Sequence, residues 1–269
     1  MLRRMKDMEG YSISATDGVI GLVKDYYFDD DAWVIRYLVV ETGTWLSSRR
    51  VLISPISINQ PNWSEKIIPA AITQEQVRSS PSIDTDRPVS RQHERQYLEY
   101  YRYPFYWGGR GVWGACRYPG AMKSEDGPGW SAEQYRKTQT QHDRVGPHLR
   151  SGNTVTRYGI HAIDGEIGHV QGILVDERAW AIRYLIVKTG NWWLGQEVLI
   201  APEWIEKINE ADSKVIVNLT RRAIKNSPPY DSAASLDREH ETRLRQHYGR
   251  DEYWPRETGH EPAIPHLGP

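Results

Sequence analysis

Short apolar runs separated by polar turns dominate the chain, a pattern typical of β-strands. The strongest of these runs, residues 33 to 41, ends at Glu41 and is interrupted by a single charge at Arg36. Successive side chains of a strand point to opposite faces, and both faces of this run are largely apolar. The pattern therefore predicts a central strand, in which each large buried side chain contributes about 1.5–3 kcal/mol.

This strand and its turn occur twice. Residues 31–45 read DAWVIRYLVVETGTW, and residues 178–192 read RAWAIRYLIVKTGNW, 147 positions later. The same offset relates Asp17-Gly18-Val19-Ile20-Gly21 to residues 164–168 and Val51-Leu52-Ile53 to residues 198–200. So many matches at one spacing indicate an internal duplication.

Turn residues divide each copy into several strands. Asp17-Gly18 predicts a turn, and Gly21 predicts a bulge within the strand that follows. Residues 29–31, three aspartates, predict a solvated hairpin tip. Gly43 and Gly190 follow the central strands, and we expect both to adopt a positive φ. Several short strands with turns between them predict a small barrel or sandwich.

A helical and aromatic segment follows each set of strands. Thr73 and Gln76 have the spacing of a capping box, and Ser90 and Asp237 are suitable N-caps for polar helices over 91–101 and 238–248. Tyr106-Trp107 and Tyr253-Trp254 end the two copies at the same offset. The predicted organisation is a first barrel at 1–82, a helical and aromatic extension at 83–107, a Gly/Pro/basic linker at 108–157, a second barrel at 158–230, and a helical extension with a loose tail at 231–269.

Composition narrows the classes of function. The 269 residues carry 34 basic and 35 acidic side chains, a net charge of −1, which argues against a nucleic-acid binder because phosphate contacts need a basic field. The one cysteine, Cys116, excludes an intrachain disulfide and a cysteine-based zinc site. The chain has no signal-peptide core and no run of about 20 apolar residues, so we expect a cytoplasmic protein with no membrane insertion.

The repeated residues resemble the PRC-barrel family. The shared features are the DG-x-I-G start, the acidic turn, the W-x-IRYL-x-V-x-TG-x-W strand and the VLI-x-P strand. The resemblance implies a mainly β fold with short helices, here two SH3-like barrels, each followed by a helical extension. In the photosynthetic reaction-centre H subunit such a barrel docks on core subunits, and in the ribosome maturation factor RimM a related barrel contacts a ribosomal protein. The resemblance implies no enzymatic activity.

The candidate site residues indicate an interface rather than a catalytic centre. We predict no catalytic residues, no cofactor and no metal, because His93 and His240 lack convergent ligands and no nucleophile motif is present. Arg36 and Arg183 interrupt the most apolar strands, either as ion-paired arginines, with Glu41 or another carboxylate as the partner, or as interface arginines flanked by aromatic residues. The predicted partner-binding or inter-barrel interface comprises Trp33, Arg36, Tyr37, Trp45, Trp180, Arg183, Tyr184, Trp192 and Trp193.

A hypothesis about architecture and function follows from the duplication. A single small barrel is marginally stable, and fusing two copies makes their pairing intramolecular. We expect a pseudo-twofold pair of barrels that acts as a non-enzymatic protein-binding or scaffold module, stress-related or accessory to a membrane complex of the photosynthetic type. The alternative is an RNA- or ribosome-linked assembly factor.

Overall fold

The fold is mainly β with short helices, as the sequence predicts. The structure is a computed structural model, and it describes residues 1–81, 89–107, 111–123, 149–190, 195–232 and 236–250. The strands are β1 Leu2–Arg4, β2 Ser12–Ala15, β3 Gly18–Asp29, β4 Val34–Thr42, β5 Arg50–Ile53, β6 Ile67–Pro69, β7 Leu149–Ser151, β8 Gly159–Ala162, β9 Gly165–Asp176, β10 Ala181–Lys188, β11 Glu197–Ile200, β12 Ile205–Asn209 and β13 Lys214–Val217.

The helices are short and lie between or after the strands. The α-helices are α1 Gln74–Arg78, α2 Arg91–Tyr101, α3 Gly152–Val155, α4 Arg221–Lys225 and α5 Arg238–His247. The 3-10 helices are η1 Met5–Met8, η2 Thr44–Leu46, η3 Pro55–Ser57, η4 Pro119–Lys123 and η5 Pro202–Trp204. The predicted caps are confirmed, since Thr73 and Gln76 form a capping box and the side chains of Ser90 and Asp237 accept bonds from the third amide of their helices.

In the first half, β4 is central, as its two apolar faces predict. It pairs antiparallel with β3 and with β5, while β2 pairs antiparallel with β3 and parallel with β6. The pairing of β2 with β3 shifts register close to Gly21, which confirms a bulge there. A Cβ at Gly21 would lie 2.0 Å from the carbonyl oxygen of Glu41, so this crossing of strands needs glycine.

The second half repeats these pairings. Strand β10 pairs antiparallel with β9 and β11, β8 pairs antiparallel with β9, and β13 pairs parallel with β8. Partners also recur 147 positions on, so that Leu38 opposite Ile53 corresponds to Leu185 opposite Ile200. The duplicated sequence therefore folds into two strand sets with matching connections. We call them the first set, β2 to β6, and the second set, β8 to β13.

Each half contributes one short strand to the sheet of the other half. Strand β1 pairs with β9, with Leu2 opposite Asp176, and β7 pairs with β3, with Leu149 opposite Asp29. These two pairings are related by the same offset of 147 residues. The sequence placed 149–157 in the linker, whereas the structure places β7 and α3 there, because the Leu149 strand completes the β3 side of the first set.

The two sets also join directly through their central strands. Val34 of β4 lies opposite Ala181 of β10, and the two strands continue one sheet. The amide of Ile35 donates to the Trp180 carbonyl oxygen at 2.8 Å, and the amide of Ile182 donates to the Trp33 carbonyl oxygen at 2.7 Å. These reciprocal bonds are related by the repeat offset, so they place an approximate twofold axis between Val34 and Ala181.

Two expectations about turns need correction. Gly190 has φ +79°, as predicted, but Gly43 has φ −70°, because Ser47 and Ser48 take the left-handed conformation in that turn instead. The acidic tip at 29–31 is not simply solvated. Asp29 is buried and Asp30 pairs with Arg150, since β7 brings that arginine to the tip.

We predict that Gly21→Ala strongly destabilises the protein and that Gly43→Ala does not. The first substitution forces Cβ against a backbone oxygen, and should cost roughly 2–4 kcal/mol of unfolding free energy. The second has only ordinary contacts and an ordinary φ, so its effect should stay within about 0.5 kcal/mol. Urea unfolding of both variants measures this, and a large cost for Gly43→Ala would contradict the turn conformation described above.

Candidate functional site at the junction of the two strand sets

Arg36 of β4 is enclosed beside the junction in the first set. Its guanidinium group donates to a carboxylate oxygen of Asp29 at 3.1 Å and to the carbonyl oxygen of Val112 at 2.6 Å. The group lies over the ring of Tyr106, 3.8 Å from its centroid, and near Trp113 at 4.8 Å. Only 2% of Arg36 is exposed. Arg36 is therefore an ion-paired arginine, with Asp29 rather than Glu41 as its partner.

The charge of Arg36 helps to keep the carboxyl group of Asp29 ionised. Burial acts to raise the pKa of Asp29, but the Arg36 charge and the amides of Ala32 and Asp31 lower it below its usual range. Asp29 thus remains an anion, and its acceptor positions shape the turn that leads into β4. The pair is buried, so removal of one member leaves the other without its partner.

A second buried group holds the aromatic end of the first half. Glu94 of α2 accepts a hydrogen bond from the Tyr106 hydroxyl and pairs with Arg91 at 3.0 Å. Burial raises the pKa of Glu94 to about 7, although Arg91 and the Tyr106 hydroxyl oppose that shift. Residues 103–107 are fixed to α2 in this way, and they carry the Tyr106 ring onto Arg36.

The second set places related residues in different surroundings. Arg183, which corresponds to Arg36, pairs with Asp176 at 3.3 Å, and about 32% of its side chain is exposed. The Tyr184 hydroxyl donates to Glu241 of α5 at 2.8 Å. Arg245 of α5 is buried beside Trp204 and pairs with Glu203. Arg183 is therefore less enclosed than Arg36.

A groove of about 790 Å³ lies at this point, and we call it the junction groove. Both halves contribute to it, through the 30–33 turn and Arg150 on one side and through β10, η5, β12 and α5 on the other. Four acidic and four basic side chains line the groove together with apolar ones such as Trp33, Ile182 and Ile205. The arrangement can accept both charged and apolar groups of a ligand.

The corresponding surface of the first set is covered by the chain itself. Helix η4 packs against η3, which occupies the position equivalent to η5. Trp113 is fully buried, and its indole nitrogen donates to the Ala179 carbonyl oxygen at 2.7 Å. Residues 103–107 and 111–123 thus lie over the first set, and Trp113 reaches the turn of the second. Trp113 therefore holds this part of the predicted linker in place, while Trp130 of the same linker lies outside the described residues.

The residues predicted as an interface divide into four groups. Trp33 and Trp180 lie at the junction, and Arg183 lines the groove. Arg36, Tyr37 and Tyr184 are buried inside their own halves, so they are not accessible to a partner. Trp45 is half-buried, and its indole nitrogen donates to the Ile20 carbonyl oxygen at 2.8 Å. This contact lies within the first set and away from the junction. Trp192 and Trp193 lie outside the described residues.

Sequence reasoning missed the contribution of the exchanged strands. Arg3 of β1 pairs with Glu177 at 3.1 Å, and Arg150 of β7 pairs with Asp30 at 2.6 Å. Each arginine thus reaches the acidic turn of the opposite half. A signal was present, because Leu2-Arg3 and Leu149-Arg150 obey the same offset as the rest of the repeat.

In the described part of the chain, no group of three or more His, Cys, Asp or Glu side chains is placed to hold a metal ion. Among the described helices, none combines the length and the apolar character needed to cross a membrane. His93 and His240 instead contact the N-cap residues Ser90 and Asp237 of their own helices.

Comparison with known proteins identifies the first strand set. Residues 3–70 match the family model described as PRC-barrel domain, which confirms the resemblance for this part of the chain. No curated protein matches the chain. The matched residues run from β1 to β6. Assignment of the second set to the same family remains a prediction, supported by its repeated residues and strand registers.

We predict that Arg36→Met costs about 3–5 kcal/mol of unfolding free energy, because it leaves the Asp29 carboxylate buried without its cation. Combining it with Asp29→Asn should recover part of that loss. Arg183→Met is the matched control and should cost about 1 kcal/mol or less, since that pair is partly exposed. Chemical denaturation of the single and double variants measures these values, and equal costs for Arg36→Met and Arg183→Met would contradict the enclosed pair.

A further prediction concerns pH. The pKa of Glu94 is raised from 4.5 to about 7 in the folded protein. Between these two pH values the folded state therefore binds more protons than the unfolded state does. Glu94 therefore lowers stability as the pH rises through that window, by roughly 2–4 kcal/mol, and its effect is constant above it. Glu94→Gln should remove this slope.

Unfolding free energies of wild type and Glu94→Gln between pH 5 and 8 test the prediction. The difference between the two proteins should grow in favour of the variant as the pH increases. Glu99→Gln, on the exposed side of the same helix, should keep the wild-type slope. Parallel curves for wild type and Glu94→Gln would show that the carboxyl group does not titrate in this window.

Proposed function

We propose that this chain, whose residues 3–70 are a PRC-barrel domain, is a non-enzymatic protein-binding module built from two such barrels, and that its partner docks in the junction groove. The groove itself carries the proposal. It lies where the two strand sets meet, so a ligand there contacts the 30–33 turn of the first half and β10 and β12 of the second. A single barrel would offer only one of these walls.

The chemistry of the groove suits a protein segment. Charged residues of both signs alternate with apolar ones along its walls, as in protein interfaces with a polar rim. A polyanion such as RNA would meet Asp30, Asp31, Glu203 and Glu206, which repel phosphate groups. This balance favours a protein partner over the RNA-linked alternative.

Strand β12 offers a means of attachment. It stands at one end of the strand order, pairs with β13, and has no second strand partner in the described part of the sheet. Ile205, Glu206, Lys207 and Ile208 of this strand line the groove. An extended segment of a partner can add to such an edge through backbone hydrogen bonds, while the pockets between side chains select its sequence.

Two ion pairs of Arg150 fix the geometry of the groove. Arg150 pairs with Asp30 at 2.6 Å and with Glu210 at 2.6 Å, so one side chain links β7, the first acidic turn and the end of β12. A groove whose walls are linked in this way is formed before the partner arrives. Preorganisation of this kind reduces the entropy lost on binding.

The test begins with the full chain, tagged in its own host and crosslinked, with soluble and membrane fractions analysed separately. A partner that co-purifies is then measured against purified variants. Lys207→Glu should weaken its binding about tenfold or more, while Gln60→Glu, at the matching position of the first half, should not. Both side chains are exposed, so the thermal unfolding midpoint should be unchanged in both variants.

Other outcomes would decide against the proposal. If a partner binds the Lys207→Glu and wild-type proteins equally, the groove is not its docking site. If RNA or ribosomal particles co-purify and their binding weakens steeply with salt, the assembly-factor alternative replaces the present one.

A further inference from the structure

We propose that the chain has a second binding site, for a small organic anion with an apolar body, in a groove on the approximate twofold axis. This groove has a volume of about 790 Å³ and is lined by residues of η1 and β3 together with residues of α3 and β9. We call it the axis groove. The two grooves share no lining residue among those described, so this inference does not depend on the proposed function.

The repeat offset shows that the axis groove belongs to both halves. The exchanged segments supply two of its walls, because η1 leads from β1 to β2 and α3 leads from β7 to β8. The groove therefore exists only while the halves are paired, and clefts between domains are common places for ligands. Ten lining residues form five pairs that are 147 positions apart, namely Lys6 with Asn153, Glu9 with Thr156, Lys24 with Gln171, Asp25 with Gly172 and Tyr26 with Ile173.

The floor of the axis groove is apolar and closely packed. Met5 and Val23 are 2% exposed, and Tyr26 is 5% exposed. Helix α3 lies so close to β3 that a Cβ at Gly152 would be 2.0 Å from a carbon of the Tyr26 ring. The floor can therefore contact the apolar body of a ligand, and the volume is within the range of small-molecule sites.

Basic side chains line the axis groove from both exchanged segments. Lys6 of η1 and Arg157, two residues beyond α3, are exposed, and in the described part of the chain neither belongs to an ion pair. Lys24 of β3 also lines the groove, and it pairs with Glu41 at 3.3 Å on the surface. An anion in the groove can thus pair with a cation of each wall, and such charge-assisted hydrogen bonds are stronger than neutral ones.

Two acidic residues also line the axis groove, and one of them already has its hydrogen bonds. The Asp25 carboxylate accepts from the Ser151 hydroxyl at 2.6 Å and from the amides of Asn153 and Tyr26 at 3.0 and 2.7 Å. Glu9 is exposed at the edge of the groove. The three basic residues outnumber these two acids, so the lining favours an anion over a cation.

The shape and the charge together define the class of ligand. An inorganic phosphate would leave the apolar floor in contact with water, and an uncharged apolar molecule would leave the basic side chains without a partner. A molecule with an apolar body and one acid group, a carboxylate or a sulfonate, satisfies both. Such a ligand would contact η1 and α3 at once, and its binding would stabilise the pairing of the halves.

Two dyes with the same ring system test the inference on the full chain. Anilinonaphthalene sulfonate carries one acid group, and phenylnaphthylamine carries none. Fluorescence titration should show about tenfold or more tighter binding of the sulfonate, because charged hydrogen bonds add to the apolar contact. Lys6→Glu/Arg157→Glu should weaken sulfonate binding about tenfold or more and leave phenylnaphthylamine binding unchanged. Glu9→Gln should tighten sulfonate binding about twofold.

The control is Lys66→Glu/Arg222→Glu, which makes the same change in net charge at exposed positions outside the axis groove. It should keep the wild-type affinity for the sulfonate within about twofold, and both double variants should keep the wild-type thermal midpoint. Equal affinities for the two dyes, or an equal loss in the control variant, would overturn the inference.

Vesicles that contain phosphatidylserine test the other source of an acid group. The chain should bind the sulfonate in solution and should not sediment with these vesicles. If it sediments with them, loses that binding in Lys6→Glu/Arg157→Glu and does not bind the sulfonate, the basic residues recognise a membrane surface and the proposed ligand is wrong.

Discussion

The reciprocal hydrogen bonds between Trp33 and Ile182 and between Trp180 and Ile35 are the constraint on which the rest of the structure depends. They join β4 to β10, so that two strand sets form one sheet and share one hydrophobic core. Both tryptophans adopt a positive φ, 54° and 56°, which is uncommon for a residue with a side chain. The conformational cost at these positions is offset by the pairing, which occurs twice through one approximate axis.

The exchanged strands explain why the two halves form one body rather than two. β1 completes the second set and β7 completes the first, so each half lacks an element that the other supplies. The arginines on these strands then reach the acidic turns across the junction. A small domain buries a limited share of its surface by itself, and this exchange extends the buried area without enlarging either strand set.

The two halves differ in what surrounds their equivalent arginines. Arg36 is enclosed by Val112, Tyr106 and Trp113, whereas Arg183 lines a groove to which both halves contribute. The matching strand registers therefore do not make the two surfaces alike, because the residues that lie over each strand set decide how much of it is enclosed.

The sequence by itself determined the strand pattern, the duplication, the family of residues 3–70 and the caps at Ser90 and Asp237, because apolar periodicity and capping chemistry are local. It also indicated that Arg36 would be special, since a charge in an apolar strand needs a partner. Only the tertiary structure decided that the partner is Asp29, that β1 and β7 are exchanged, and that Gly43 has an ordinary φ. These features depend on contacts between residues far apart in the chain, and no local pattern specifies which distant surface will enclose a side chain.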